Sequence, residues 1–271
     1  MTAGNISRTT VIAIVMLAPA VGRVAAGQGR GTPTPAPSAK ASAPIDLTGY
    51  WVSIVNKDWR FRMVIPAKGD FFGTLGGIPI NAEARRVAEA WDPAKDEAAG
   101  EECKAFGAAG LMRIPGRLYI TWQDDNTLRV DTDAGRQTRL FHFGAALPPA
   151  GQPTWQGDSA ARWFGLAAGS ARAQEGNANP GTGGPKYGSL EVMTRNLRPG
   201  YLRRNGVPYS AGTAMTEYWD LFKEPDGTDW LVITTTIVDP AYLQLPYETS
   251  PAFKREPDGS KWDPSACSAR W

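Results

Sequence analysis

The feature of this sequence that most constrains its fold is a succession of short segments in which β-branched or aromatic residues alternate with others, bounded by turn residues. Eight segments have this character: 49–54, 59–65, 118–122, 128–131, 138–143, 189–195, 215–222 and 230–238. Short alternating runs of this kind are typical of antiparallel strands. A sheet of eight such strands can cover its apolar face by closing into a barrel or by curving strongly. We therefore predict a mostly β fold, either an antiparallel β-barrel or a strongly curved sheet.

One segment has helical spacing instead. Its apolar residues recur at helical intervals from Ala84 to Trp91, Asn81 stands where an N-cap is needed, and Asp92-Pro93 follows. We predict one short helix over residues 82–91, lying against the sheet or across a barrel mouth.

Residues 165–188 interrupt the strand pattern. They are rich in glycine and have almost no apolar periodicity. A loop of this length within a domain is either functional or a disordered insertion. Its Gly, Ala, Asn and Pro content favours a flexible insertion.

The first 44 residues differ in composition from the rest of the chain. Arg8 precedes an apolar run over 11–21, and Val24-Ala25-Ala26 supplies small residues of the kind that signal peptidase accepts. The run is well short of the ~20 residues that a membrane-spanning helix needs. We predict a signal peptide over 1–26, a disordered Pro/Ala/Gly tether over 27–44 and one β-rich domain over 45–271. The expected location is exported, periplasmic or secreted, with no membrane insertion after leader removal.

The charge balance excludes one class of partner. The chain has 29 basic and 27 acidic residues. Four of the basic residues and none of the acidic ones precede Ile45, which leaves 25 basic against 27 acidic residues in the domain. A nucleic-acid-binding surface needs a basic excess to displace counterions. We therefore expect no nucleic-acid partner.

Cys103 and Cys267 are the two cysteines of the chain. In an oxidising compartment an isolated pair most simply forms a disulfide, although two free thiols are the alternative. The chain has a single histidine and no Cys-x-x-Cys, so we expect neither a metal site nor a cofactor.

Three stretches carry a resemblance to known proteins. The first is residues 81–93 with Cys103 and 112–117, the second is Pro-Thr-Trp-Gln-Gly-Asp-Ser-Ala-Ala-Arg-Trp at 153–163, and the third is 216–218 with Asp239-Pro240. Together they resemble a group of exported bacterial proteins with the pattern Pro-Thr-Trp-x-Gly-x-Ser-x-x-Arg-Trp. The group has no established activity, so the resemblance implies no reaction.

The opening of the domain carries a second resemblance. Asp46-Leu47-Thr48-Gly49-Tyr50-Trp51 contains a Gly-x-Trp, which resembles the start of lipocalin-like barrels. That resemblance implies a tryptophan at the closed end of a barrel with a late arginine packed over it. Arg255 and Arg195 are the candidates for this arginine.

Candidate ligand-binding residues concentrate around the Trp-x-Gly-x-Ser motif: Trp155, Asp158, Ser159, Arg162 and Trp163. One interpretation directs the polar side chains at a ligand between the two tryptophans. The other is a structural corner in which Arg162 pairs with Asp158. Glu217, within a later strand, is a further candidate for orienting a ligand.

Three functions follow as hypotheses. The first is an exported barrel that binds a small, partly apolar ligand in an aromatic interior. The second is a small-molecule enzyme that uses His142, the single histidine, with a nearby carboxylate as acid and base. The third is a surface module that binds glycans through exposed tryptophans. No pattern in the sequence favours a particular oligomeric state.

Overall fold

The computed structural model describes residues 37–64, 67–68, 77–144, 151–164 and 188–270, with the backbone alone for Arg60. The predicted signal peptide, the tether up to residue 36 and residues 165–187 of the predicted insertion lie outside the described residues. None of the described helices is long and apolar enough to cross a membrane.

The described strands, in chain order, are β1 Gly49–Ile54, β2 Arg117–Asp124, β3 Thr127–Thr132, β4 Thr138–Phe143, β5 Asp158–Phe164, β6 Ser189–Arg195, β7 Gly200–Arg203, β8 Val207–Tyr209, β9 Ala214–Lys223, β10 Asp229–Val238, β11 Tyr247–Thr249 and β12 Ala252–Glu256. Nine of them form a closed barrel in the order β10-β12-β1-β2-β3-β4-β5-β6-β9, and β9 pairs back onto β10. The β4–β5 pair is parallel and the other barrel pairs are antiparallel. The prediction of a β-barrel is confirmed.

The described helices are α1 Trp59–Arg62, α2 Ala82–Ala90, α3 Pro93–Ala98, the 3-10 helix η1 Glu102–Phe106 and α4 Ala108–Leu111. The predicted helix over 82–91 is confirmed as α2, with the Asn81 side chain accepting from the Ala84 amide at 2.9 Å. The predicted strand over 59–65 is wrong over α1. There the backbone amides of Phe61 and Arg62 both donate to the Asp58 carbonyl. These hydrogen bonds within one helical turn take the place of the hydrogen bonds to a neighbouring strand.

Trp51 closes one end of the barrel, where β1 begins. Its side chain is fully buried, and its Nε1 donates to the Leu47 carbonyl at 2.9 Å. The Arg255 guanidinium lies 4.2 Å from the centre of the Trp51 ring and donates to the carbonyls of Asp46, at 2.8 Å, and Thr48. Of the two candidate arginines, Arg255 therefore makes this contact.

The chain before the Gly-x-Trp motif also packs at this end. The Ala39 amide donates to the Asn126 side chain at 2.9 Å, and its carbonyl accepts from Trp163 Nε1 at 2.8 Å. The Lys40 amide bonds to the Asp125 carbonyl at 3.0 Å. Residues 37–44, predicted as tether, thus belong to the folded part, because the β2–β3 turn and Trp163 satisfy their backbone groups.

A second layer covers the opposite end, where β2 and β4 begin. Side chains from α2, α4 and the β7–β8 hairpin form their own apolar cluster with residues at the ends of β9 and β10: Ile78, Ile80, Ala84, Ala88, Ala108, Ala109, Leu197, Leu202, Val207, Tyr209, Met215, Ile237, Leu243 and Tyr247. Phe106, Leu111 and Met112 pack on the barrel core from the same side. We call this layer the cap.

A disulfide fastens the C-terminal segment to the cap. Cys103, in η1, and Cys267 are bonded, with their Cα atoms 5.0 Å apart. The predicted pairing is confirmed. A disulfide is compatible with an oxidising, exported location.

Replacing Asn81 by alanine tests the N-cap of α2. The change leaves the Ala84 amide without its side-chain acceptor, and loss of such a cap typically costs about 1 kcal/mol. We expect the urea unfolding free energy to fall by that amount. Glu89→Ala, on the exposed face of the same helix, is the control and should change it by less than about 0.5 kcal/mol. Equal losses in both variants would contradict the capping role.

Candidate functional site

The barrel interior contains a buried ion pair within an apolar core. Arg139 on β4 and Glu217 on β9 are both 0 % exposed, and Nη1 and Nη2 of Arg139 donate to the two carboxylate oxygens at 2.9 and 2.6 Å. Arg139 also donates to Thr194 Oγ1 at 3.2 Å, and that hydroxyl lies 2.8 Å from Ser159 Oγ. Two of the predicted ligand-binding residues, Ser159 and Glu217, therefore lie in a buried network.

Asp158 and Arg162 lie on the outer face of β5, four residues apart, whereas Ser159 faces inward, because successive side chains of a strand point to opposite faces. Arg162 is exposed and pairs with Glu191 on the neighbouring strand, not with Asp158. Asp158 accepts from Asn196 Nδ2 at 2.9 Å. The structure does not bring this set together around one opening.

The two tryptophans of the motif lie at opposite ends of the barrel. Trp163 packs against Trp122 and Phe143, with ring centres 6.3 and 5.2 Å away, near the end that Trp51 closes. Trp155 lies at the cap, where the Arg198 guanidinium stacks 4.3 Å from its ring centre. They do not form the two walls of one site.

His142 lies on the outer face of the barrel, because Phe141 on the same strand is fully buried and faces inward. The hydrogen-bond contact described for its ring joins Nδ1 to the Thr127 hydroxyl at 3.5 Å. Among the described residues, no carboxylate bonds to this imidazole. The geometry gives the acid–base hypothesis no support.

Tryptophan exposure bears on the glycan hypothesis. Among the described residues, Trp59, 62 % exposed, is the one tryptophan that ranks with the strongly exposed apolar side chains. The described surface therefore has no row of exposed tryptophans.

A cleft of about 460 Å³ lies outside the barrel, beside the cap. Thr234 contributes to its wall from the outer face of β10, since Ile233 and Thr235 face inward. The other walls come from the segment around α1, from the start of α2 and from β11. They combine apolar and polar residues: Lys57, Asp58, Arg62, Gly77, Pro79, Arg113, Leu245, Pro246, Tyr247, Glu248, Thr249, Ser250 and Pro251.

A smaller void of about 20 Å³ adjoins this cleft and shares Arg62 and Arg113 with it. Arg203 and Arg204, at the β7–β8 hairpin, complete its charged lining, and Phe61, Ile114 and Leu202 are among its apolar neighbours. We call it the arginine chamber. No acidic residue of the described chain lines it.

Three of the four arginines of the chamber are buried. Arg62 and Arg203 are each 4 % exposed and Arg113 is 7 % exposed. Arg62 Nε donates to the Arg113 carbonyl at 2.9 Å. In the described part of the chain, Arg62 Nη2 and all three guanidinium nitrogens of Arg203 have no hydrogen-bond partner, although the nearby Tyr247 side chain acts to raise the pKa of Arg203. The Arg203 guanidinium rests 4.4 Å from the ring centre of Phe61.

Among the described residues, Asp58 is the carboxylate that pairs with one of these arginines. Asp58 Oδ2 lies 3.2 Å from Arg113 Nη2. Burial, and next the nearby charge of Arg113, lower the pKa of Arg62 to about 10, and burial lowers the pKa of Arg203 as well. A guanidinium stays protonated at neutral pH, so among the described residues the positive charge in the chamber exceeds what Asp58 offsets.

Asp58 also adopts an unusual backbone conformation. Its φ is 52°, in the left-handed region that non-glycine residues rarely occupy. Strained backbone of this kind costs about 1–3 kcal/mol and concentrates at binding sites. The conformation fits a residue held in place beside the cleft.

Sequence reasoning missed the arginine chamber because its residues come from three separate segments, 61–62, 113 and 203–204. The Trp-Arg-Phe-Arg run at 59–62 was interpreted as an alternating strand, which left both arginines on a solvent face. The slight acidic excess of the domain also masks a local cluster of like charges.

Comparison of the chain with protein-family models, with curated proteins and with solved structures finds no match. The resemblance to exported bacterial proteins stays a prediction.

Proposed function

We propose that this protein is an exported, small-ligand-binding barrel whose ligand site is the cleft beside the cap. The observation that carries the proposal is the cleft itself. Its volume, about 460 Å³, falls in the range of about 300–1,000 Å³ that is usual for small-molecule sites. Its walls combine apolar surface with a few polar groups, as such sites do. The exported part of the proposal is supported by the leader pattern and the disulfide.

This site replaces the aromatic interior in which we expected the ligand. The inward-facing rings belong to one packed core: Trp51, Phe141, Trp219 and Phe253 are each at most 1 % exposed. Arg139 and Glu217 neutralise each other inside that core, where Arg139 Nε alone of the guanidinium nitrogens has no described partner. The cleft, in contrast, opens to solvent, and Arg62 Nη2 on its wall has no described hydrogen-bond partner.

Native mass spectrometry of the full chain, purified from the organism that produces it, tests this proposal. We expect the wild-type protein to retain a small molecule. Leu245 lines the cleft and is 67 % exposed, so Leu245→Trp should fill the opening and abolish retention.

The matched control for that experiment is Phe222→Trp. Phe222 is 50 % exposed on β9 and does not line the cleft, so this variant should retain the molecule as the wild type does. A wild-type protein without bound species, or retention unchanged in Leu245→Trp, would contradict the proposed function.

A further inference from the structure

We infer that the cleft takes a small organic acid and that the arginine chamber binds its carboxylate head. This inference rests on the proposed function, because it names the chemical class of ligand for the same cleft. It draws on a separate observation, the unpartnered guanidinium groups of the chamber.

The unpaired buried charge of the chamber favours the binding of an anion. Removing a cation from water costs several kcal/mol unless an opposite charge or hydrogen bonds compensate it. Arg203 has three nitrogens without a described partner, and Arg62 has one. An anion in the chamber would accept from these nitrogens and would neutralise charge that Asp58 leaves uncompensated.

The shape of the guanidinium groups and the adjoining cleft favour one kind of anion. A void of about 20 Å³ holds roughly one water-sized group. A planar carboxylate can present one or both oxygens there, and its shape matches the fork of a guanidinium. The apolar walls of the adjoining cleft favour an organic acid over inorganic phosphate, because phosphate has no apolar body to fill that cleft.

The neighbouring cleft accounts for the rest of the ligand. Because Arg62 and Arg113 form part of both walls, a head group between them leaves the body of the molecule in the wider cleft. Leu245, Pro246 and the Tyr247 ring supply apolar surface there. Lys57 and Glu248 carry opposite charges on the walls of the cleft, so the cationic excess lies at the chamber.

Isothermal titration calorimetry with acetate, hexanoate and benzoate, each beside its neutral amide, tests this inference on the full chain. We expect an acid with an apolar body to bind at least about 10-fold more tightly than its amide. Arg203→Met removes hydrogen bonds to a charged group, so we expect it to lower the affinity for the acid by about 10- to 100-fold. Arg203→Lys should recover part of this loss, because it restores the charge without the fork.

Arg129→Met is the matched control for affinity. Arg129 is a partly exposed arginine paired with Asp131 on the barrel surface, so its loss should leave acid binding unchanged.

Urea unfolding of Arg203→Met shows whether a loss of affinity comes from a loss of folding. Without ligand, Arg203→Met should unfold at the same urea concentration as the wild type or a higher one, since it removes an unpaired buried charge.

The alternative outcomes are distinct. Equal binding of acid and amide that is abolished by Leu245→Trp would overturn the carboxylate assignment and leave the proposed function intact. Binding of chloride or phosphate with no preference for organic acids would overturn it in favour of an inorganic anion. If none of the acids bound although native mass spectrometry showed a retained molecule, the inference would fail and the cleft would remain a ligand site.

Discussion

Replacing Arg139 by glutamine is expected to lower the free energy of unfolding by about 3–5 kcal/mol. The change removes one partner of an ion pair whose side chains are both 0 % exposed, so Glu217 is left as a buried charge without a counter-ion. Glu217→Gln should have a similar effect, because it leaves Arg139 uncompensated. Urea unfolding followed by tryptophan fluorescence measures both.

Arg162→Gln is the matched control for the ion pair. Arg162 also lies on a barrel strand and pairs with a glutamate of the neighbouring strand, but its side chain is 64 % exposed. Its partner Glu191 is buried but keeps the hydrogen bond from the Tyr218 hydroxyl at 2.9 Å, and water screens the exposed guanidinium, so this variant should lose clearly less stability than Arg139→Gln.

The double variant Arg139→Met with Glu217→Leu separates the cost of an unpaired charge from loss of the pair. It should be less destabilised than either single variant, since neither charge is left buried alone. Single variants within about 1 kcal/mol of the wild type would contradict the account of the barrel core.

Loss of the Cys103–Cys267 disulfide is the other large expected effect. The bond closes a loop with a sequence separation of 164 residues. By restricting the unfolded chain, closure of such a loop can stabilise the fold by up to ~5 kcal/mol. Natural disulfides typically contribute about 2–5 kcal/mol. We expect the double variant Cys103→Ser, Cys267→Ser to unfold at a clearly lower urea concentration than the oxidised protein.

Reductant supplies the internal control for the disulfide. Adding it to the wild type should reproduce the midpoint of the double serine variant, and adding it to that variant should change nothing. An oxidised wild type that unfolds at the same midpoint as the serine variant would contradict a stabilising role for the bond.

The barrel was predictable where a strand carries its own local signal. The bounds predicted for 138–143 and 189–195 agree with β4 and β6, because alternation and flanking turns define both segments. β5 was missed, since Ser159-Ala160-Ala161 has small side chains without β propensity and its neighbour β4 runs parallel. Parallel pairing depends on the path of the connection, which local pattern does not encode.

The candidate site was less accessible to sequence reasoning than the fold. The Trp-x-Gly-x-Ser motif is dense in polar groups, but the two-residue period of β5 separates them in space. Arg62, Arg113 and Arg203 meet only after the cap folds onto the barrel, and their spacing of 50 residues or more gives no motif. Burial without partners distinguishes these arginines from the many on the surface, and burial is a property of the fold.

The closure of both barrel ends explains why the site lies outside the barrel. Trp51 and Arg255 close one end, and the cap with Phe106 covers the other. The proposed ligand site is therefore the cleft where the cap borders the outer face of β10.

A crystal structure of the full chain purified from its own organism, without added ligand, tests the central claim most directly. The account predicts electron density for one small molecule in the cleft, with its acidic end between Arg62, Arg113 and Arg203. A cleft that holds water alone, or density for a ligand inside the barrel instead, would contradict it.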